Sequence, residues 1–154
     1  LTVRELLIFV AEARGFRGLG RSRAIDRAVE LTGLAGAMDR VMGTLSKGWR
    51  QRAWLAQAVL HDPPTLILDE PTDGLDPLQK AHLRAVLAEM GRSKAILMST
   101  HILEEAEQLC DRLIVIAAGR IVADASRAEL VDASGRLATA FARLVGGQAE
   151  QVTP

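Results

Sequence analysis

"TLILDEP", residues 65–71, stands between Pro63–Pro64 and Pro71. Proline cannot continue a helix and gives no N–H to a ladder. A short apolar run fenced in this way reads as a buried strand over 65–69. "AILMS" (95–99) and "RLIVIA" (112–117) have the same texture, and helical patterns over about 77–91 and 102–110 separate the three runs. Strand, helix, strand, helix, strand implies parallel strands joined by right-handed crossovers, an α/β fold. "AAGRIVADA" (117–125) then reads as a hairpin around Gly119. A last helix over 135–145 sets Leu137, Phe141, Leu144 and Val145 on one face.

Upstream of the first strand the pattern is helical. "LTVRELLIFVAEAR" (1–14) repeats Val3, Leu6, Leu7, Val10 and Ala11 at helical spacing, and Thr2 with Glu5 suits a capping box. A second helix is expected over 22–32, ending before Gly33. A third, over 47–60, starts after Ser46 and stops at "HDPP" (61–64). The chain thus divides into a helical part, 1–62, an α/β part, 63–146, and a polar tail, 147–154.

"GFRGLGRS" (15–22) has the spacing of the phosphate loop G-x-x-x-x-G-K-[ST], with Arg21 in place of lysine. Such a loop needs a strand before it and a helix after it, so that backbone N–H groups face the phosphates. A helix precedes this one, and arginine is no substitute for the lysine. Gly15, Gly18 and Gly20 are expected to form a helix–helix turn.

The totals narrow the function. The 154 residues include 49% hydrophobic and 25% charged side chains, which suits one globular domain. Nineteen basic residues balance nineteen acidic ones and aromatics are only 3%, so neither a polyanion surface nor a base-stacking platform is indicated. The lone Cys110 fits a reducing compartment. No apolar run approaches the roughly 18 residues of a bilayer span.

Four short stretches could carry chemistry. Asp69 and Glu70 close the first strand, where ligands gather in α/β sheets, and acidic residues there can hold Mg²⁺. They could equally be two solvated carboxylates opening a loop. "LSKGWRQR" (45–52) puts Ser46 at a helix N-cap with Gly48 just inside, a setting that binds anions but also occurs as an ordinary cap. In "TDGLDP" (72–77) Asp76 is an N-cap, Pro77 suits the first helical position, and Gln79 completes a capping box. "STH" (99–101) places His101 at the end of a strand; His61 and His82 read as surface residues.

In this order and spacing the four stretches resemble the ATP-binding cassette (ABC) ATPases, whose fold is of the P-loop NTPase type. "LSKGWRQR" is similar to the family's signature motif, "LILDE" to its second Walker motif with the adjoining glutamate, "GLDP" to the D-loop and "STH" to the switch histidine. The opening "LTVRE" resembles the segment after the Q-loop. The resemblance covers residues 1–145, and the wording is most like export-type transporter ATPases.

The resemblance implies a partial cassette: a helical subdomain, then parallel β/α core strands, then a C-terminal hairpin and helix. It implies that Asp69 holds Mg²⁺ through water, that Glu70 is the general base, and that His101 meets the γ-phosphate. Ser46, Lys47, Gly48 and Gln51 would contribute to the ATP site of a partner subunit, and Asp76 would cross the dimer interface. The implied partners are a second nucleotide-binding subunit and a transmembrane permease, with no nucleic acid. The implied location is cytoplasmic, at the inner face of the membrane through that permease.

Two departures stand out. Lys47 occupies a position that is glycine in many members, and Trp49 and Arg50 replace a glutamine-containing pattern. Trp49 could pack on the permease or within the helical part. No G-x-x-x-x-G-K-[ST] occurs in the 154 residues. The resemblance therefore implies the C-terminal part of a longer cassette, with little or no ATPase activity by itself. The competing readings are a chromosome-maintenance or DNA-repair ATPase head, a translation-associated cassette protein and a degenerate cassette fragment. The first would carry coiled-coil arms and the second a pair of cassettes in one chain.

Overall fold

The computed structural model describes residues 1–132 and 134–149. They form two compact units, Leu1–Ser99 and a second that begins at Thr100. The passage from helices to strands near residues 61–64 lies inside the first unit.

The first unit begins with α1 (Val3–Ala13). Its first-turn donors are all answered. The Thr2 hydroxyl accepts from Glu5 N–H at 3.2 Å, the Glu5 carboxylate accepts from Thr2 N–H at 2.8 Å, and Val3 and Arg4 donate to the carbonyls of Arg40 and Met38. This is the capping box expected at that site. Helix α2 (Gly18–Thr32) closes on Gly33, whose φ of 62° supplies the left-handed cap that glycine takes without strain. After two short 3₁₀ turns comes α3 (Lys47–Val59). Helices α1, α2 and α3 pack on one another. Val3, Leu7, Ala11, Leu34, Ala53, Ala56 and Leu60 are fully buried among them.

Helix α2 starts four residues before its expected N-terminus, so Gly20, Arg21 and Ser22 lie within it. Only the stretch around Gly15, with φ of 88°, remains a turn. Arg21 is ion-paired with Glu12 on the preceding helix. The stretch "GFRGLGRS" is thus a tight joint between helices. Tertiary contact overrides the low helix propensity of its glycines.

Strands β1 (Thr65–Asp69) and β2 (Ala95–Ser99) pair in parallel, Thr65 opposite Ala95 through to Asp69 opposite Ser99. Helix α4 (Pro77–Gly91) connects them and packs against β2, burying Leu83, Leu87 and Met90. Both strands have the expected limits. Their burial differs from expectation, because only Leu66 of β1 is buried. The register partners Ile67 and Leu97, on the face opposite Leu66, are 77% and 57% exposed. The sheet has two strands, and an alternating strand with one face covered leaves the other in water.

The second unit holds α5 (Leu103–Leu109), β3 (Arg112–Ala117), β4 (Arg120–Ser126), α6 (Arg127–Leu130) and α7 (Ala138–Ala149). Here the expectation of a third parallel strand fails. Strand β3 pairs antiparallel with β4 in a sheet of its own. The cause is the two-residue turn Ala118–Gly119, with φ of 47° and 73°. Two successive left-handed residues match the twist of a hairpin, so β4 folds straight back. Helix α7 packs on this hairpin. It starts after buried Leu137 and runs to Ala149, three residues into the expected tail; 150–154 lie outside the described residues.

Candidate functional site

The carboxyl ends of β1 and β2 meet at Asp69 and Ser99, the last register pair of the sheet. The Ser99 hydroxyl donates to the Asp69 carboxylate. The same hydroxyl accepts from Glu70 N–H at 3.1 Å, and that N–H also reaches the Ser99 carbonyl at 3.2 Å. Glu70 holds a left-handed φ of 44°. The chain thereby leaves the strand abruptly and enters the loop 71–76.

That loop is a pair of turns. Asp73 N–H donates to the Glu70 carbonyl at 3.0 Å, and Leu75 N–H to the Thr72 carbonyl at 3.2 Å. Thr72 is fully buried and Leu75 nearly so, which anchors the loop from beneath. Gly74 has φ of 74°, and the Lys47 stem lies where its Cβ would be. Asp76 caps α4, its carboxylate accepting from Gln79 N–H at 2.9 Å, with Pro77 in the first helical position. The Gln79 side chain does not complete the box. Its amide oxygen turns to α3, 2.6 Å from where a Cβ on Gly48 would stand.

Helix α3 meets this loop with its first turn. Ser46 caps it, accepting from Trp49 N–H at 3.4 Å. Lys47 Nζ reaches the Asp73 carboxylate at 2.6 Å. Gly48 is buried against the Leu75 side chain, the Gly74 carbonyl and the Gln79 amide, so a Cβ there would require the Gln79 side chain to move. One turn on, Gln51 Nε2 donates to the Glu70 carbonyl at 3.3 Å. The Lys47–Asp73 pair is more than half in water on the lysine side, so it fixes geometry more than it stabilises.

Seven of the eight residues singled out from the sequence lie in the first unit: Ser46, Lys47, Gly48, Gln51, Asp69, Glu70 and Asp76. Lys47, Gly48 and Gln51 touch the segment that follows Asp69. His101 belongs to the second unit, between β2 and α5. Trp49 packs within the helical part. Arg52 lies over its ring at 5.0 Å from the centroid, and Gly36 would bring a Cβ within 3.6 Å of it.

Sequence reasoning missed Ser99, Asp73 and Gly74. Gly74 had a signal, since a glycine between Asp73 and Leu75 marks a left-handed turn position. Ser99 had a weaker one, as a hydroxyl at a strand end beside the expected His101. Asp73 had none.

The site offers hard oxygen donors: an exposed Asp69 carboxylate with the Ser99 hydroxyl on it. Among the described residues no group of three or more His, Cys, Asp or Glu forms a metal cage. Such a site suits a cation that keeps waters and takes its other ligands from a phosphate, as Mg²⁺ does. The capped N-terminus of α3, with the Lys47 ammonium beside it, suits an anion.

A model of the ABC transporter family matches residues 1–73. The chain is 41% identical over 135 residues to the Nod factor export ATP-binding protein I of Burkholderia orbicola (strain AU 1054), covering 85% of this chain and 43% of that protein. It is 45% identical over 138 residues to the protein of the same name from Rhizobium meliloti, covering 85% and 39%. It is 46% identical over 104 residues to the uncharacterized ABC transporter ATP-binding protein YdbJ of Bacillus subtilis (strain 168), covering 66% and 34%. A solved ATP-binding subunit of an ABC transporter superposes with a TM-score of 0.80 at 30% identity, over 94% of this chain and 62% of that one. The chain thus spans about two-fifths of the length of the Nod factor export relatives.

Proposed function

We propose that this chain belongs to the ABC transporter family of ATP-binding proteins and is part of the ATP-hydrolysing subunit of an export-type transporter. The export reading rests on the Nod factor export relatives. The observation that carries the catalytic reading is the lacing of α3 to the loop after Asp69 and to the first turn of α4, through Lys47–Asp73, Gln51–Glu70 and Gly48–Gln79. It links an anion-suited helix start to an acidic strand end.

Asp69, steadied by Ser99, would hold Mg²⁺. When bound, Mg²⁺ neutralises charge on the phosphates. Glu70 takes a proton from the attacking water and keeps it in line, and His101 meets the γ-phosphate. Ser46 and the Gly48 N–H face the γ-phosphate of ATP held by a second subunit, with Lys47 and Gln51 beside them. Asp76 crosses between the subunits. Little covalent chemistry is asked of these groups; they position and balance charge.

On this reading residues 1–62 are the helical subdomain, 63–146 the C-terminal part of the catalytic core and 147–154 a tail. The partners are a second copy of the subunit and a transmembrane permease. The site is cytoplasmic, at the inner face of the membrane. No helix among the described residues is long and apolar enough to cross a membrane.

The test compares the 154-residue chain with the complete protein. The complete protein hydrolyses Mg²⁺-ATP and dimerises with ATP. The chain alone, without G-x-x-x-x-G-K-[ST], shows no hydrolysis above background and only weak ATP binding. Tight one-to-one ATP binding by the isolated chain, read by calorimetry, would overturn the second expectation. A complete protein with no ATP hydrolysis would overturn the first.

A further inference from the structure

Glu105, on the first turn of α5, is fully buried, the only carboxylate among the described residues to be so. A carboxylate in that setting is costly unless hydrogen bonds hold it. Its Oε2 accepts from the Thr100 hydroxyl at 3.0 Å. The same hydroxyl accepts from Ile102 N–H at 3.1 Å, and Glu105 N–H donates to the Ile102 carbonyl at 3.0 Å. His101 sits between Thr100 and Ile102. Both of its chain neighbours are therefore tied to one buried acid, the first by its side chain and the second by its backbone.

A hydroxyl that gives its proton to a carboxylate becomes a better acceptor on its other side. Glu105 thus strengthens the bond that closes the turn at Ile102. The φ and ψ of the 100–102 backbone set the direction in which the His101 Cβ leaves the chain. We propose that Glu105, acting through Thr100, is a positioning residue for His101, fixing the turn and with it the bearing of the imidazole. The proposal rests on the reading of His101 as the group that meets the γ-phosphate.

The test uses the complete protein with Thr100→Val, Thr100→Ser and Glu105→Gln, and Thr100→Val also in a His101→Ala background. Thr100→Val keeps the side-chain shape and removes the hydroxyl. It should lower kcat for ATP hydrolysis about tenfold, with KM within about twofold, while Thr100→Ser stays near wild type. Added to His101→Ala, it should lower kcat no further, because the two act as a unit. With ¹³C-labelled histidine, the His101 ring signal, assigned by its loss in His101→Ala, should move in Thr100→Val and in Glu105→Gln but not in Thr100→Ser.

An unmoved ring signal in Thr100→Val overturns the proposal, as does a full tenfold loss on top of His101→Ala. If Glu105→Gln does not fold, the Thr100 pair decides alone. If His101→Ala hydrolyses ATP at the wild-type rate, the reading of His101 fails, and the ring signal still decides whether Thr100 and Glu105 hold it in place.

Discussion

The Ser99 hydroxyl donates to the Asp69 carboxylate across the last register pair of β1 and β2, and takes the Glu70 N–H at 3.1 Å on its other side. One small side chain therefore orients both acidic residues of the site. Groups that orient a ligand carboxylate are worth roughly tenfold or more in metal affinity. In the complete protein, Ser99→Ala should raise the Mg²⁺ concentration for half-maximal ATP hydrolysis by about tenfold. Ser99→Thr, which keeps the hydroxyl, should stay close to wild type. Identical Mg²⁺ titrations for Ser99→Ala and wild type would remove Ser99 from the site.

Glu70→Gln tests the base. Glutamine fills the same space and cannot take a proton. Hydrolysis should fall by two or more orders of magnitude, on the scale of general-base catalysis. ATP binding should persist, and a nucleotide-bound dimer should accumulate, seen by size-exclusion chromatography with light scattering. Wild-type turnover in this variant would refute the role.

Ser46 separates helix capping from phosphate binding. Its hydroxyl accepts from Trp49 N–H at 3.4 Å, longer than a strong N–H···O bond. Ser46→Ala should therefore lose only about 0.5 kcal/mol, the low end for a cap. Ser46→Glu suits the positive end of the helix and should leave the melting temperature nearly unchanged. Facing a triphosphate across the interface, the same charge should abolish the ATP-dependent dimer. Sedimentation with and without ATP, beside a thermal melt, reads both; a normal dimer would reduce Ser46 to a cap.

Asp132 gives a pH prediction for the second unit. The Ser134 hydroxyl donates to it at 2.6 Å and the Arg136 N–H at 3.1 Å, and these bonds lower its pKa from 3.8 to about 2. A carboxylate lowered on folding stabilises the loop fully above the unfolded value of 3.8. That contribution fades as pH falls towards 2. Amide exchange at Ser134 and Arg136, corrected for intrinsic rates, should accelerate between pH 5 and about 2.5. In Asp132→Asn the same amides should show no such dependence.

The strands and most caps were legible because local chemistry decides them. Prolines at 63, 64 and 71 frame β1, and Asp76 with Pro77 marks the start of α4 to the residue. What was not legible depends on contacts distant in sequence. Gly18 and Gly20 argue against a helix, yet α2 includes both, with Arg21 paired to Glu12. The hairpin around Gly119 was legible from its turn, whereas the apolar run of β3 was read as a third parallel strand and pairs instead with β4. Of the site, Asp69, Glu70 and Ser46 were named from spacing. The ties Lys47–Asp73 and Gln51–Glu70 exist only once the helix and loop have met.

The left-handed backbone at Glu70 sets two kinds of selection against each other. Glycine relieves about 1–2 kcal/mol of strain at such a position and gives back roughly 0.5–1 in chain entropy; asparagine tolerates it better than glutamate. A library of variants sorted by heat resistance should thus drift toward Asn or Gly at position 70. The same library sorted by ATP turnover should return to Glu. With Glu70 as the proposed base, the residue kept there should separate cassettes that hydrolyse ATP from those that only fold.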